Sequence, residues 1–266
     1  MDLQLQDRPA VVFGGAGGIG ARIAATLAAE GACVTVADRD PRAAEALAAR
    51  LGGNALACGC DVSVRDEVRA VVGRTVERFG GLQIAVQAVG LTLANWLPDI
   101  TDRDIDVTFS VNMKGSIFVA QAAVEPMRAA GYGRLVFIGS GSGMKGSAGM
   151  AVYSASKFFL RGLAHAVGLE AGPAGVTANV VCPSDVYPGG DDPAMTWHDP
   201  TLVRISCEKE NVPDFDALRK RRIARNPARR ACTAEDVAWL TAFLCSPLAG
   251  YINAQTIGVN GGGLPT

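Results

Sequence analysis

The chain has 266 residues, 49% hydrophobic and 19% charged, and 25 Lys and Arg nearly balance 26 Asp and Glu for a net charge of −1. That composition indicates a globular chain with a generous core, and the charge excludes any overall draw to nucleic acid or an anionic membrane. Seven cysteines without a Cys-x-x-Cys pair and two histidines, His165 and His198, argue against a structural metal. Cys58 and Cys60 share a strand face, but two thiolates are an incomplete zinc site. The expectation is reduced thiols in a cytoplasmic protein. The polar start Met1–Arg8 is unlike a signal peptide, and no apolar run is long enough to span a bilayer.

Taken in order, Ala10-Val-Val-Phe13 reads as a buried strand. It runs into Gly14-Gly-Ala-Gly-Gly-Ile-Gly20 and then an alanine-rich helix over 21–30, stopped by Gly31. Strand, glycine turn and helix together let backbone amides approach a pyrophosphate at a helix N-terminus. The pattern therefore predicts a dinucleotide site at Gly14, Gly18, Ile19 and Gly20. A second strand, Cys33–Ala37, ends at Asp38, about 20 positions after the glycines, where a carboxylate can hold the adenosine ribose hydroxyls. It would also repel a 2′-phosphate, which favours NAD over NADP. Arg39 is the counter-signal, because an arginine there can pair with that phosphate.

The same rhythm continues. Helices are predicted over about 41–51 and 66–79, through Val111–Gly115 to Ala120, and from the Tyr153 segment toward Gly172. Strands are predicted at Ala55–Cys60, Ile84–Ala88, Arg134–Gly139 and Thr177–Cys182. Such alternation predicts an α/β fold with a parallel sheet covered on both faces, and without linker composition it reads as one domain over 1–266. Asp38, Asp61, Gly90, Ser140 and the segment after Pro183 all fall at carboxyl ends of strands, where ligands gather. Ala151-Val-Tyr-Ser-Ala-Ser-Lys157 adds a phenol and an ammonium at i and i+4, on one helical face. Tyr-x-x-x-Lys alone reads as a core aromatic with a solvated lysine. Beside a dinucleotide cleft, the ammonium favours the phenolate, and the pair can exchange a proton with an alcohol or a ketone.

The motifs Gly14-x-x-x-Gly18-Ile-Gly20, Asp61-Val-Ser63, Val111-Asn112, Gly139-Ser140, Tyr153-Ser-Ala-Ser-Lys157 and Gly258-Val-Asn-Gly-Gly262 follow one another in this order. In them the chain resembles the short-chain dehydrogenase/reductase family over nearly its whole length. The resemblance implies a doubly wound seven-stranded parallel sheet, a Rossmann fold, in a homotetramer with interfaces near Asn112, Tyr153 and the C-terminal segment. It implies Tyr153 as acid/base, Ser140 as hydrogen-bond donor to the substrate oxygen, and Lys157 as support for the phenolate and ligand of the nicotinamide ribose. Asn112 would hold a water linking Lys157 to solvent. Asp61 would accept from the adenine amino group, with Val62 at its backbone, and Gly90, Pro183 and Val186 would complete the cofactor contacts. Ser142 competes with Ser140, and Asp61 can equally cap the segment after it.

The chain departs from that pattern in four places. Phe13 stands where the family has a threonine before the glycine turn, so the turn must be held another way. Gln87-Ala-Val-Gly90 replaces Asn-Asn-Ala-Gly, which loses a contact at Ala88. Pro183-Ser184 replaces Pro-Gly, and the threonine that binds the nicotinamide carboxamide falls at Pro188. Backbone amides around Val186 are the candidate replacement.

Specificity is expected in an insertion at about 187–230, long for one connection. It contains Trp197, His198, Arg204, Arg219-Lys-Arg-Arg222, Arg225, Arg229 and Arg230. Most of these arginines read as a solvated face paired with Glu208, Glu210, Asp214 and Asp216, and a minority facing the cleft would bind a phosphate, sulfonate or carboxylate. Candidate substrate contacts are Trp96, Ser142, Met144, Trp197 and Arg204, with apolar surface from Leu91, Leu93 and Met150. The segment also resembles polyol- and sugar-phosphate-oxidising members of the family. The expected activity is NAD-dependent interconversion of a secondary alcohol (polyol, sugar-derived or anionic) and its ketone. The alternatives are an NADPH-dependent carbonyl or 3-oxoacyl reductase and a non-catalytic dinucleotide sensor.

Overall fold

In the computed structural model, which describes residues 1–187 and 199–263, the apolar runs become short strands. They are β1 Pro9–Phe13, β2 Cys33–Asp38, β3 Ala55–Gly59, β4 Ile84–Gln87, β5 Gly133–Ile138, β6 Val176–Pro183 and β7 Thr256–Val259. All pair in parallel, in the order β3-β2-β1-β4-β5-β6-β7. The order reverses between β1 and β4, and this switch point opens a crevice at the carboxyl ends of the strands. The expected doubly wound, seven-stranded parallel sheet is observed.

Helices α1 Gly18–Ala29, α2 Pro41–Leu51 and α3 Arg65–Phe79 lie between the first strands. Next come α4 Asp102–Thr108, a π-helical turn Phe109–Lys114 and α5 Gly115–Ala129, then α6 Ala151–Ala171. Alternation along each strand feeds two cores. Val12, Val34, Val36, Val136 and Ile138 meet Ile23, Leu27, Leu47 and Leu244 on one face. Val11, Phe13, Leu135 and Phe137 meet Val68, Val71, Val119, Met127 and Leu160 on the other. Phe13 is thus a core side chain. Cys58 and Cys60 join the second core, and burial pushes the Cys60 thiol up to about 12, so it is unreactive. All seven cysteines are free.

The predicted insertion contributes α7 Pro200–Glu210 and α8 Phe215–Arg225, followed by α9 Ala234–Cys245. Asp199 starts α7 by accepting from the amides of Thr201 (2.8 Å) and Leu202 (3.2 Å), with Pro200 in the first turn. Asn211 in the left-handed region, at φ +51°, ends it. Leu202 and Ile205 bury against Ala94, Trp96 and Met150. A polar clamp completes the docking, in which the Arg222 guanidinium donates to Asp185, just past β6, at 2.8 Å and to Glu210 at 2.6 Å. No helix among the described residues is long and apolar enough to cross a membrane, and no cluster of His, Cys, Asp and Glu there suits a metal.

Truncating Arg222 leaves two half-buried carboxylates facing each other without their shared cation. Arg222→Leu is expected to cost about 2 kcal/mol, or about 5 °C in thermal midpoint, and to make α7 and α8 more sensitive to protease. An unchanged midpoint together with an unchanged digestion pattern would show that the clamp does not hold the insertion.

Candidate active site

The carboxyl ends of the strands deliver the predicted side chains to one region. After β1 the chain turns at Gly14 with φ +73°, and a Cβ on Gly20 would lie 1.9 Å from the Gly14 carbonyl oxygen, so no larger residue fits this turn. The β2 end holds the turn. The amides of Gly14 and Gly15 donate to the Ala37 carbonyl at 2.8 and 3.0 Å, and the Ala16 amide donates to the Asp38 carboxylate at 3.0 Å. Asp38 accepts from the Asp40 amide as well, which fixes the carboxylate beside the glycine turn. Helix α1 begins with no side-chain cap and no acidic residue in its first turn, so its N-terminal amides suit an anion. These features fit a dinucleotide pyrophosphate.

At the end of β3, Asp61 accepts from the hydroxyl and the amide of Ser63 at 2.7 and 2.9 Å through one oxygen. The Ser63 hydroxyl is the main cause holding the Asp61 carboxyl below its usual range, and Arg39 adds to it. The capping reading of Asp61 therefore holds for that oxygen. Val62 is buried, which turns its side chain from the crevice and leaves its backbone. Arg39 is exposed. At the end of β4, the buried Gln87 braces the loop, accepting from the Val89 amide at 2.8 Å and donating to Ser116 at 3.2 Å.

The π-helical turn carries Asn112, buried and fully committed. Its Oδ1 accepts from the Leu91 amide at 2.8 Å, and its Nδ2 donates to the Leu91 carbonyl and the Ser156 hydroxyl, both at 2.9 Å. It ties the loop after β4 to α6 and does not bond to its own helix. On α6, Lys157 is 3% exposed, and its ammonium donates to the Ile138 carbonyl at 2.9 Å and stands 5.8 Å from the Tyr153 ring centre. A side chain on Gly90 would put its Cβ 2.8 Å from that nitrogen, so glycine makes the room. Ser140 accepts from the Ser142 amide at 3.1 Å, which leaves its own hydrogen to donate. Ser142 instead shares a 3.1 Å bond with Ser147.

One cleft of about 660 Å³ joins Gly18, Ile19, Gly20, Gly90, Ser140, Ser142, Tyr153, Lys157, Pro183 and Val186. Gly14, Asp38, Asp61 and Val62 stand outside its lining, on the turn and on the neighbouring strand ends. Three predicted substrate contacts do not line it. Trp96 packs on Leu202 and Ile205 and donates its indole N–H to Glu208 at 3.2 Å. Met144 packs against the second core, and Arg204 pairs at 2.8 Å with Glu208 on the exposed side of α7. Trp197, His198 and Pro188 lie outside the described residues. Of the arginines, Arg222 and Arg225 line the cleft, beside Lys145, Asp185, Lys209 and Glu210, which sequence reading did not single out as site residues. Asp185 directly follows the Pro183-Ser184 pair, and Lys145 follows Ser140 by one turn of loop, so proximity to a motif was the available signal.

Comparison with known proteins agrees with this geometry. The short chain dehydrogenase family matches residues 8–197, and the family described as Enoyl-(Acyl carrier protein) reductase matches residues 200–263. The chain is 32% identical to the short-chain reductase protein NovJ of Streptomyces niveus, over 97% of this chain and 94% of that one. It is 32% identical to a sorbitol dehydrogenase of Cereibacter sphaeroides, over 98% of both chains. It is 33% identical to the 4-formylbenzenesulfonate dehydrogenase TsaC1/TsaC2 of Comamonas testosteroni, over 98% of this chain and 99% of that one. The crevice at the strand ends, the glycine turn and the Tyr153–Lys157 helix are therefore those of an oxidoreductase that belongs to the short-chain dehydrogenase/reductase family, whose members bind NAD(P) and small-molecule substrates.

Proposed function

We propose that the protein is an NAD-dependent oxidoreductase that interconverts a secondary alcohol and its ketone. The observation that carries the reading is the buried Lys157 ammonium beside Tyr153, in one cleft with the Ser140 hydroxyl. Gly14, Gly18, Ile19, Gly20, Asp38, Asp61, Val62, Gly90, Pro183 and Val186 would hold the dinucleotide, with Lys157 at its nicotinamide ribose. The dinucleotide, when bound, supplies hydride acceptance in one direction and hydride donation in the other. Tyr153 takes the hydroxyl proton at its phenol oxygen during oxidation and returns it during reduction. Lys157 places a positive charge one helical turn from the phenol, and the Ile138 carbonyl holds it there. Ser140 donates its hydrogen to the substrate oxygen as charge develops there. Asn112 positions the Leu91 loop and Ser156 around this group.

NAD is favoured because the Asp38 carboxylate is fixed at the end of β2 by two amides. Two relatives bear names for oxidation of a polyol, sorbitol, and of a sulfonated aromatic aldehyde, 4-formylbenzenesulfonate. Those names, with the charged residues around the cleft, favour a polyol or an anionic hydroxy compound as substrate.

Tyr153→Phe keeps the ring and removes the proton carrier. The expected result is a fall in kcat of roughly 10²–10⁴-fold with dinucleotide affinity changed less than about twofold. Turnover close to that of the unaltered protein, followed by nicotinamide absorbance over a panel of secondary alcohols, would remove Tyr153 from the acid/base role.

Asp38→Ala removes the charge that repels a 2′-phosphate. The ratio of kcat/KM for NAD over NADP is expected to drop by about tenfold or more. A ratio that stays put would place Asp38 away from the ribose and make Arg39 the residue to alter next.

A further inference from the structure

The cleft is far more cationic than the chain as a whole. The sequence holds five lysines, and three of them, Lys145, Lys157 and Lys209, line this one cleft together with Arg222 and Arg225. Among the described residues only two carboxylates, Asp185 and Glu210, line it in return, and both are bonded to Arg222. Arg225 approaches Glu210 less closely, at 3.7 Å. Lys157 is already assigned beside Tyr153. That leaves Lys145, on the loop between β5 and α6, and Lys209, in the last turn of α7. No carboxylate among the described residues is within ion-pair distance of either ammonium.

The two lysines come from separate walls, one from the loop that carries Ser140 and one from the docked insertion. Both side chains are exposed on the cleft lining; desolvation first and Arg222 next hold the Lys209 ammonium below its usual range, Glu210 and Asp185 oppose them, and Lys145 adds a smaller lowering. Two ammonium groups without a paired carboxylate, in a cleft already rich in cations, are a poor arrangement for an uncharged ligand. An oxyanion between them would add a charge-assisted attraction to each ammonium.

We propose that Lys145 and Lys209 form a two-point clamp for an oxyanion of the substrate, a carboxylate, sulfonate or phosphate, in the cleft that holds Ser140 and Tyr153. The clamp rests on the alcohol–ketone reading above for the identity of the bound molecule as a substrate. It narrows that reading from polyols in general to anionic hydroxy compounds. The pyrophosphate of a dinucleotide is a separate anion, directed to the glycine turn and the start of α1.

The test uses inorganic sulfate as probe on the full chain loaded with NAD. Lysine acylation is followed residue by residue by mass spectrometry, with sodium chloride matched in ionic strength as the control. Sulfate is expected to slow acylation of Lys145 and Lys209 about fivefold or more while leaving Lys220, which lies outside the cleft and is paired with Asp216, unchanged. In Lys209→Met the protection of Lys145 is expected to disappear, because one ion bridges both. Equal labelling with sulfate and chloride, or protection of Lys145 that survives Lys209→Met, overturns the clamp.

A second arm separates the clamp from the reaction. Secondary alcohols are compared in pairs that differ only in an anionic group, with the single lysine-to-methionine variants. Each variant is expected to lower kcat/KM for the anionic member about tenfold and to spare the neutral one. Turnover of neutral alcohols without anion preference would keep the alcohol–ketone reading and sink the clamp. Sulfate protection without turnover of any alcohol would keep the clamp as an anion site and sink that reading.

Discussion

A lysine ammonium that is taken out of water must find oxygen atoms to replace its hydration, and around Lys157 this need organises much of the chain. Desolvating such a charge costs several kcal/mol, and no carboxylate among the described residues sits at ion-pair distance to offset it. The carbonyl of Ile138 at the end of β5 supplies one acceptor at 2.9 Å, and the ring of Tyr153 lies 5.8 Å away. Gly90 leaves the space in which the ammonium sits. The positions of β4, β5 and α6 are therefore coupled through one nitrogen, and the phenol one turn earlier inherits that placement. A charge held this way is expensive to bury and useful to keep, which is the usual balance at a catalytic centre.

The remainder of the site is braced by polar groups that satisfy one another. Asn112 spends both ends of its amide on the Leu91 backbone and Ser156, and Gln87 does the same for Val89 and Ser116. The glycine turn leans on Ala37 and Asp38 of the adjacent strand, so the residue expected to meet a ribose also shapes the loop expected to meet phosphates. On the far side, Arg222 joins the end of β6 to the α7–α8 insertion. Each brace crosses between two elements that are distant in sequence, and that is why the crevice is a property of the fold and not of any one loop.

Most of the fold was legible because buried parallel strands must be apolar on both faces and helices must follow them at short intervals. Runs such as Ala10–Phe13 and Arg134–Gly139 could be little else, and the helix over 41–51 was bounded by Pro41 and by Gly52. The positions of Ser140, Tyr153 and Lys157 in one cleft followed from strand ends and helical spacing. Side-chain direction in the insertion was not legible. Arg204 and Arg222 look alike in sequence, yet the first sits on the exposed face of α7 with Glu208 while the second turns inward to Asp185. Trp96 resembled a cleft aromatic, but the docking of Leu202 and Ile205 covers it instead. Phe13 looked like a loss at the glycine turn; its side chain belongs to the core and the neighbouring strand holds the turn, and register between strands is not written locally.

The π-helical turn at Phe109–Lys114 has a geometric consequence of its own. It inserts one more residue than an α-helix would use over the same rise, so the segment after it is rotated by about 100° relative to the segment before it. Along one continuous rod from Asp102 to Ala129, α4 meets α6, whereas α5 meets α3 and the sheet as well as α6. Asn112 sits at the phase change itself, where the wider turn lets its side chain leave the rod and reach Leu91. Losing a single residue anywhere in that turn would restore an ordinary helical phase and rotate the side chains of one half out of their present packing. The tolerance of this segment to substitution and its tolerance to change in length are thus quite different properties.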